Sequence, residues 1–233
     1  MRATAYERVG DQRKLDRRST RFRDLAYQAI KDSILNGIVG VELPLIEERL
    51  AEALQISRTP VREALAILEH EGLIEALPYK GLYVKAISID EFVLLREAVA
   101  TILVTLARQA AQSVSTAEIA TMSIQLERAA HCIPQDIPGH LAACRAFLAQ
   151  VGSSCPSATA VMINLAERAD LYVLRVRPLY SNEPLRATVA ALRAILQAIA
   201  DGAADAAGHA AEAYVRSLRA YWAVTAHSAA SPA

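Results

Sequence analysis

The chain is poor in cysteine. Cys132, Cys144 and Cys155 are odd in number and far apart, with no C-x-x-C pair, which argues against a disulfide framework and against a thiolate zinc site. They read as buried thiols. The chain also lacks net charge, since 25 lysines and arginines balance 25 aspartates and glutamates. That excludes a polyanion binder working by bulk charge, although balanced totals leave room for local asymmetry. No stretch approaches the ~18 uninterrupted apolar residues of a membrane span, and the first residues have no apolar core of a secretory signal. The expected location is the cytoplasm, with no membrane partner. No period of ~20 to 50 residues recurs, so a solenoid is not expected. What the chain does have is apolar content, 53% of 233 residues, enough for a sizeable core in one large or two modest domains.

Local charge asymmetry begins at once. Residues 1 to 23, "MRATAYERVGDQRKLDRRSTRFR", hold eight basic side chains against three acidic ones and almost no large apolar residue. This reads as a flexible basic arm, either a solvated tail or a phosphate-contacting extension. From 24 to 86 the pattern is three helices and two short strands. "LAYQAIKDSILNG" sets Leu25, Ile30, Ile34 and Leu35 on one face and stops at Asn36-Gly37. "IEERLAEALQ" repeats the arrangement with Ile46, Leu50 and Leu54. In "TPVREALAILEHEG", Thr59 is the expected cap, Pro60 the first helical residue, and Val61, Leu65 and Leu68 the inward face. "LIEAL" and "GLYVKAI" follow as strands joined by a turn at residues 78 to 81.

From 87 to 228 everything reads as helix, with a disordered tail expected over 229 to 233. "SIDE" at Ser88 and "STAE" at Ser115 match the capping box, and Pro134, Pro138, Gly152, Pro156, Pro184 and Gly202 punctuate the remainder. Six antiparallel helices are expected. The fold class is therefore mainly α: an N-terminal winged helix-turn-helix followed by an all-α antiparallel bundle.

Three short helices with a tight turn before the third, followed by a hairpin, place the leading end of the third helix where it can enter the major groove of duplex DNA. Ser57, Arg58, Thr59 and Arg62 lie there. Arg58 and Arg62 are one turn apart, so both guanidinium forks can reach base edges, and an arginine on guanine is worth ~1–3 kcal/mol of discrimination. Ser57 and Thr59 suit phosphate oxygens. The bland alternative is that Arg62 pairs with a nearby glutamate on a solvated face. The stretch "LAEALQISRTPVREALAILEHEGLIEALPYKGLYV" resembles the winged helix-turn-helix of the GntR family of bacterial transcription regulators. That resemblance implies base reading by Arg58 and Arg62, phosphate contacts by Ser57 and Thr59, and a wing tip at Lys80 and Gly81 in the minor groove. The Pro-Gly turn that usually precedes the second helix is missing, and Ile46 stands at the usual hydroxyl cap.

The remainder resembles the FadR-like branch, whose C-terminal FCD domain is a helical bundle that binds an effector and dimerises. "FVLLREAV" and "LRAILQAIADGAADAA" carry the likeness. Many FCD domains hold a divalent metal through one aspartate and three histidines. The corresponding positions here are Leu141 and Arg145, within one residue, then Leu192 and Tyr214. Leucine and arginine do not ligate such cations, so no metal or other cofactor is expected. Asp136 and His140 have a ligand-like spacing, but Pro138 and Gly139 between them argue against a shared helical face. Effectors of this branch are commonly carboxylates, which a guanidinium can clamp. Arg145 is the pointed candidate, with Arg96 and Arg175 as further cations and Asn164 and Tyr214 as neutral partners.

The reading that results is a homodimeric, ligand-responsive transcription factor, a repressor of a metabolic operon, on a pseudopalindromic operator. One rival keeps DNA binding but makes the bundle a dimerisation module only. A second, an enzyme with a DNA-binding appendage, lacks any Ser-His-Asp or Cys-His spacing and any glycine-rich phosphate loop.

Overall fold

The computed structural model describes residues 22–176, 182–214 and 216. The basic arm up to residue 21 and the expected tail at 229–233 lie outside them. Internal contacts divide the chain between Ala86 and Ile87.

The first unit runs α1 (Phe22–Leu35), α2 (Glu47–Leu54), α3 (Arg58–His70), β1 (Ile74–Leu77) and β2 (Gly81–Val84). Leu25, Ala26, Ala29, Ile30 and Ile34 recur every three or four residues along α1, and all are buried. Gly37 ends that helix with φ +68°, a left-handed turn that glycine adopts without a Cβ penalty. Both α1 and α2 pack on α3, whose Val61, Leu65 and Leu68 are at most 1% exposed. A polar clasp adds to this packing. The Tyr27 hydroxyl donates to Glu71 Oε1 at 2.7 Å, and Lys31 Nζ reaches Glu71 Oε2 at 3.3 Å. Partial burial pushes the Tyr27 phenol up to about 12, so it stays a donor.

Three local expectations are corrected. Helix α3 begins at Arg58 with Ser57 as its N-cap, not at Pro60 with Thr59 as cap. The first four N–H groups of a helix have no intrahelical acceptor, so a proline in the third position forfeits no bond. The second strand ends at Val84, short of Ile87. Of the thiols, only Cys144 is buried, while Cys132 and Cys155 are half-buried. Helix α2 does start after Ile46, whose side chain makes no cap bond. Its approach is fixed by the wing: Leu45 N–H donates to Leu82 O at 2.8 Å, and Pro44 bridges Tyr83. The antiparallel wing pairs Ile74 with Val84 and Leu77 with Gly81.

The second unit is all-α among the described residues: α4 (Ile89–Ser113), α5 (Thr116–His131), α6 (Ile137–Val151), α7 (Pro156–Val176), α8 (Glu183–Ala200) and a helix over 204–214. These are the six helices expected. Ser88 caps α4 by accepting from Glu91 N–H, and Ser115 with Glu118 forms a complete capping box on α5. Asp136 caps α6 by accepting from Gly139 N–H at 2.9 Å, and a Cβ on Gly139 would run into that carboxylate. The long α4 packs on α6, α7 and α8, and α5 packs on α6 and α8. Phe92 of α4 is fully buried and stacks on Tyr172 of α7, centroids 4.7 Å apart. No described helix is long and apolar enough to cross a membrane.

Truncating that ring leaves a cavity at the centre of the bundle. Phe92→Ala is expected to cost ~3–5 kcal/mol, read as a lower denaturant midpoint with the slope unchanged; a loss under about 1 kcal/mol would show that the stack does not anchor α4 to α7.

Candidate nucleic-acid interface and a buried charged cavity

The leading turn of α3 is exposed. Ser57 has extended backbone (φ −71°, ψ 163°), and its hydroxyl makes no capping hydrogen bond. The arginines that follow are not bare. Arg58 pairs with Glu48 at 2.8 Å and Arg62 with Glu47 at 2.8 Å, with the arginine side chains 61% and 70% exposed. The hydrogen bond from Arg62 holds the Glu47 carboxyl below its usual range. The glutamate pairing that the sequence left as the bland alternative therefore exists. It does not decide the matter, because ion pairs this exposed are screened and contribute little, and a phosphate or guanine edge competes readily for the same guanidinium. The pairs hold both forks extended on the outer side of α3.

At the wing, Gly81 has φ +99°, and Lys80 N–H closes the turn on Leu77 O at 3.1 Å. Tyr79 beside them was not singled out from sequence. Its φ of +63° is unusual for an aromatic residue, and its side chain is fully exposed at the tip. An aromatic residue inside a proline-to-glycine turn was the available signal.

The bundle encloses a cavity lined by α4, α6, α7, α8 and the 204–214 helix. About 10 Å³ of it is open to the centre of a water molecule, room for about one water. Of the five candidate effector residues, Arg96, Arg145 and Tyr214 line it. Asn164 and Arg175 do not. They lie six and five residues from the cavity residue Asp170, which at about 100° per residue turns them about 120° and 140° away around α7. Arg175 instead donates to Ile87 O at 2.6 Å and lies over the Tyr172 ring.

Asp170 was missed from sequence. It is 2% exposed, and its two carboxylate oxygens each face a guanidinium: Oδ1 lies 3.6 Å from Arg96, and Oδ2 accepts a close hydrogen bond from Arg145. The available signal was a carboxylate inside the buried stripe of Met162, Ala166, Ala169 and Val173. His140, 1% exposed, shares the cavity with one nitrogen on Ala129 O at 2.9 Å and the other 3.7 Å from Cys144 Sγ. Burial lowers the His140 pKa, raises that of Tyr214 and pushes the Cys144 thiol up to about 12, so all three are neutral near pH 7. Asp136, by contrast, is consumed in capping α6 and does not line the cavity with His140.

This is the architecture of a DNA-binding regulator: a winged helix-turn-helix joined to a helical domain with an internal polar site. Residues 23–84 match the model of the bacterial regulatory proteins of the gntR family, and residues 95–217 match that of the FCD domain. The chain belongs to the gntR family and carries an FCD domain. Over 63 residues it is 40% identical to an HTH-type transcriptional regulator in the TAR-I ttuE-ttuC' intergenic region of Agrobacterium vitis, covering 27% of this chain and 37% of that protein. Over 65 residues it is 34% identical to the HTH-type transcriptional repressor RspR of Escherichia coli K12, covering 28% of each. The chain thus matches only about a third of these relatives' length. Its fold is similar to that of E. coli McbR/YncC (TM-score 0.76, 18% identity, 89% of this chain and 99% of that one). A GntR regulator from Rhodococcus sp. RHA1 is comparable (TM-score 0.72, 19% identity, 86% and 96%). At such identities the likeness is one of fold.

The buried histidine makes stability depend on pH. With its folded pKa depressed, His140 takes up a proton more readily when unfolded, so its contribution is complete above about pH 6.5 and fades as pH falls below that. The unfolding free energy of the wild type is expected to fall between about pH 6.5 and pH 5, by at most about 1.4 kcal/mol per pH unit from this group, read as a falling thermal midpoint that falls more shallowly in His140→Gln. Parallel curves for the two proteins would place the sensitivity elsewhere.

Proposed function

We propose that this protein is a homodimeric, ligand-responsive repressor of a metabolic operon that binds a pseudopalindromic operator. Arg58 and Arg62 read base edges, Ser57 and Thr59 hold phosphates, and Lys80 and Gly81 bring the wing tip to the minor groove. The carrying observation is the first turn of α3, where two guanidiniums one turn apart stand exposed beside a hydroxyl that makes no capping bond. In a two-fold dimer the two recognition helices are matched by two half-sites. A small carboxylate effector occupies the charged cavity of the FCD domain, with Arg96, Arg145 and Tyr214 as its partners. Regulation follows if the ligand binds one state of the bundle better than the other.

The metal common in FCD domains does not suit these residues. Leu141, Arg145, Leu192 and Tyr214 all line the cavity, and shifting the first pair by one residue substitutes His140 and Cys144. That second register offers one nitrogen and one thiol that burial keeps protonated. Two guanidiniums face the same space, and among the described residues no three metal-binding side chains converge. A cation placed there would be repelled where an anion is attracted.

The test is discrimination by the recognition helix. Arg58→Ala is expected to weaken binding to the protein's own promoter by roughly tenfold to a hundredfold, equivalent to ~1–3 kcal/mol. Binding to random duplex should fall far less, as seen in titrations at fixed salt. A variant that still prefers the promoter by the wild-type ratio would remove Arg58 from base reading.

A further inference from the structure

The effector-site reading leaves open what kind of anion is taken, and the charge arrangement around Asp170 bears on that. Two guanidiniums and one carboxylate share the cavity, a formal charge of +1. The remaining titratable groups in the lining, His140, Cys144 and Tyr214, add nothing near neutral pH. Asp170 is engaged at both oxygens, one toward each arginine. Arg145 is thereby held by a close ion pair. Arg96 is held less completely: its contact with Asp170 is 3.6 Å, its side chain is about nine-tenths buried, and its Nε–H is buried with no protein acceptor. A buried N–H without an acceptor and a buried net charge without a counter-ion are both costly, and they coincide on one side chain.

We propose that Asp170 sets the charge of the ligand, so that the cavity selects a small monoanion whose carboxylate completes the hydrogen bonding of Arg96, and rejects dianions and neutral isosteres. The proposal rests on the effector-site reading. One negative charge brings the buried total to zero. Two would leave a carboxylate uncompensated beside Asp170, and none would leave the guanidinium as it was. Displacing Asp170 is the poorer alternative, because its side chain is buried on α7 and would lose both partners. Asp170 is therefore a resident anion occupying part of the capacity of an arginine pair that could otherwise hold two charges. The free space, room for about one water, is smaller than a carboxylate group, so the helices part to admit the charged end of the ligand.

The experiment uses the full-length protein and matched probes at constant ionic strength near pH 7.5: acetate, propionate and pyruvate as monoanions, malonate and succinate as dianions, acetamide and propionamide as neutral isosteres. Saturable stabilisation of the thermal midpoint reports binding. In the wild type at least one monoanion is expected to bind no less than tenfold more tightly than either dianion, with no shift from the amides. In Asp170→Asn, where the cavity charge becomes +2, the order reverses in favour of malonate or succinate. Arg96→Gln is expected to abolish monoanion binding. A wild type that prefers dianions or amides overturns the charge assignment but keeps the site, and this arm stands even if Asp170→Asn fails to fold. An Asp170→Asn protein that folds and keeps the monoanion preference overturns it equally. Stabilisation that persists undiminished in Arg96→Gln, or no stabilisation by any probe in the wild type, overturns the effector-site reading and the charge rule with it.

Discussion

A guanidinium cannot shed its proton to escape an apolar interior, so a bundle that buries one must arrange an anion around it. In the FCD domain of this chain, that requirement is met for one of two guanidiniums by Asp170, which stands between Arg96 and Arg145 where α4, α6 and α7 converge. Neighbouring features follow from it. Cys144 and Tyr214 are buried neutral, His140 is tied to a backbone carbonyl, and the Phe92 ring beneath Arg96 stacks on Tyr172 two residues from Asp170. The same packing that fastens α4 to α7 fixes the separation of the charges.

The winged helix-turn-helix works by the opposite economy. Its arginines are kept in water, where their pairs with Glu47 and Glu48 serve to orient and contribute little to stability. What stabilises this unit is the apolar face of α3 against α1 and α2, together with the Tyr27, Lys31 and Glu71 clasp and the Leu45 bond to the wing. Recognition groups that are exposed can exchange one partner for another at small cost. Buried ones cannot, which agrees with the proposal that one unit takes a polyanion that comes and goes while the other takes a small ligand.

Much of this could be read from sequence because it is local. Helical periodicity marks Leu25 to Leu35 and Val61 to Leu68 without ambiguity, and serine three residues before glutamate marks the starts of α4 and α5. The two exposed arginines of α3 stand out in the sequence because they belong to one contiguous motif. What escaped was set by tertiary partners. Helix α3 starts at Arg58, with Ser57 as its N-cap, because a first turn tolerates proline at several positions. The approach to α2 depended on a hydrogen bond from Leu45 to a strand residue 37 positions later. Asp170 is illegible in sequence because its place between two arginines is set by tertiary packing, and residue type alone does not fix the angle of Asn164 and Arg175 around α7. The one-residue ambiguity at 140/141 and 144/145 was not an error of counting alone, since both members of each pair reach the cavity.

On the proposed reading, arginines stand where a metal would hold the ligand, and that changes how such a domain can respond to its surroundings. A metal-held ligand is lost to chelators and, where histidines coordinate, to mild acid. Guanidiniums keep their charge over any pH at which the fold survives, so the attraction for an anion is constant and control passes to packing. The cavity has room for about one water, so even a carboxylate group requires the surrounding helices to move. Helix α8 supplies one wall, and its buried positions are mainly aliphatic and β-branched, among them Leu185, Thr188, Val189, Leu192 and Ile195. That face packs through aliphatic contacts and takes no part in the Phe92–Tyr172 ring stack, so displacement there costs less than along that contact between α4 and α7. An anion drawn to Arg96 would accordingly be accommodated on the α8 side, with the charged triad staying in place as the fixed wall.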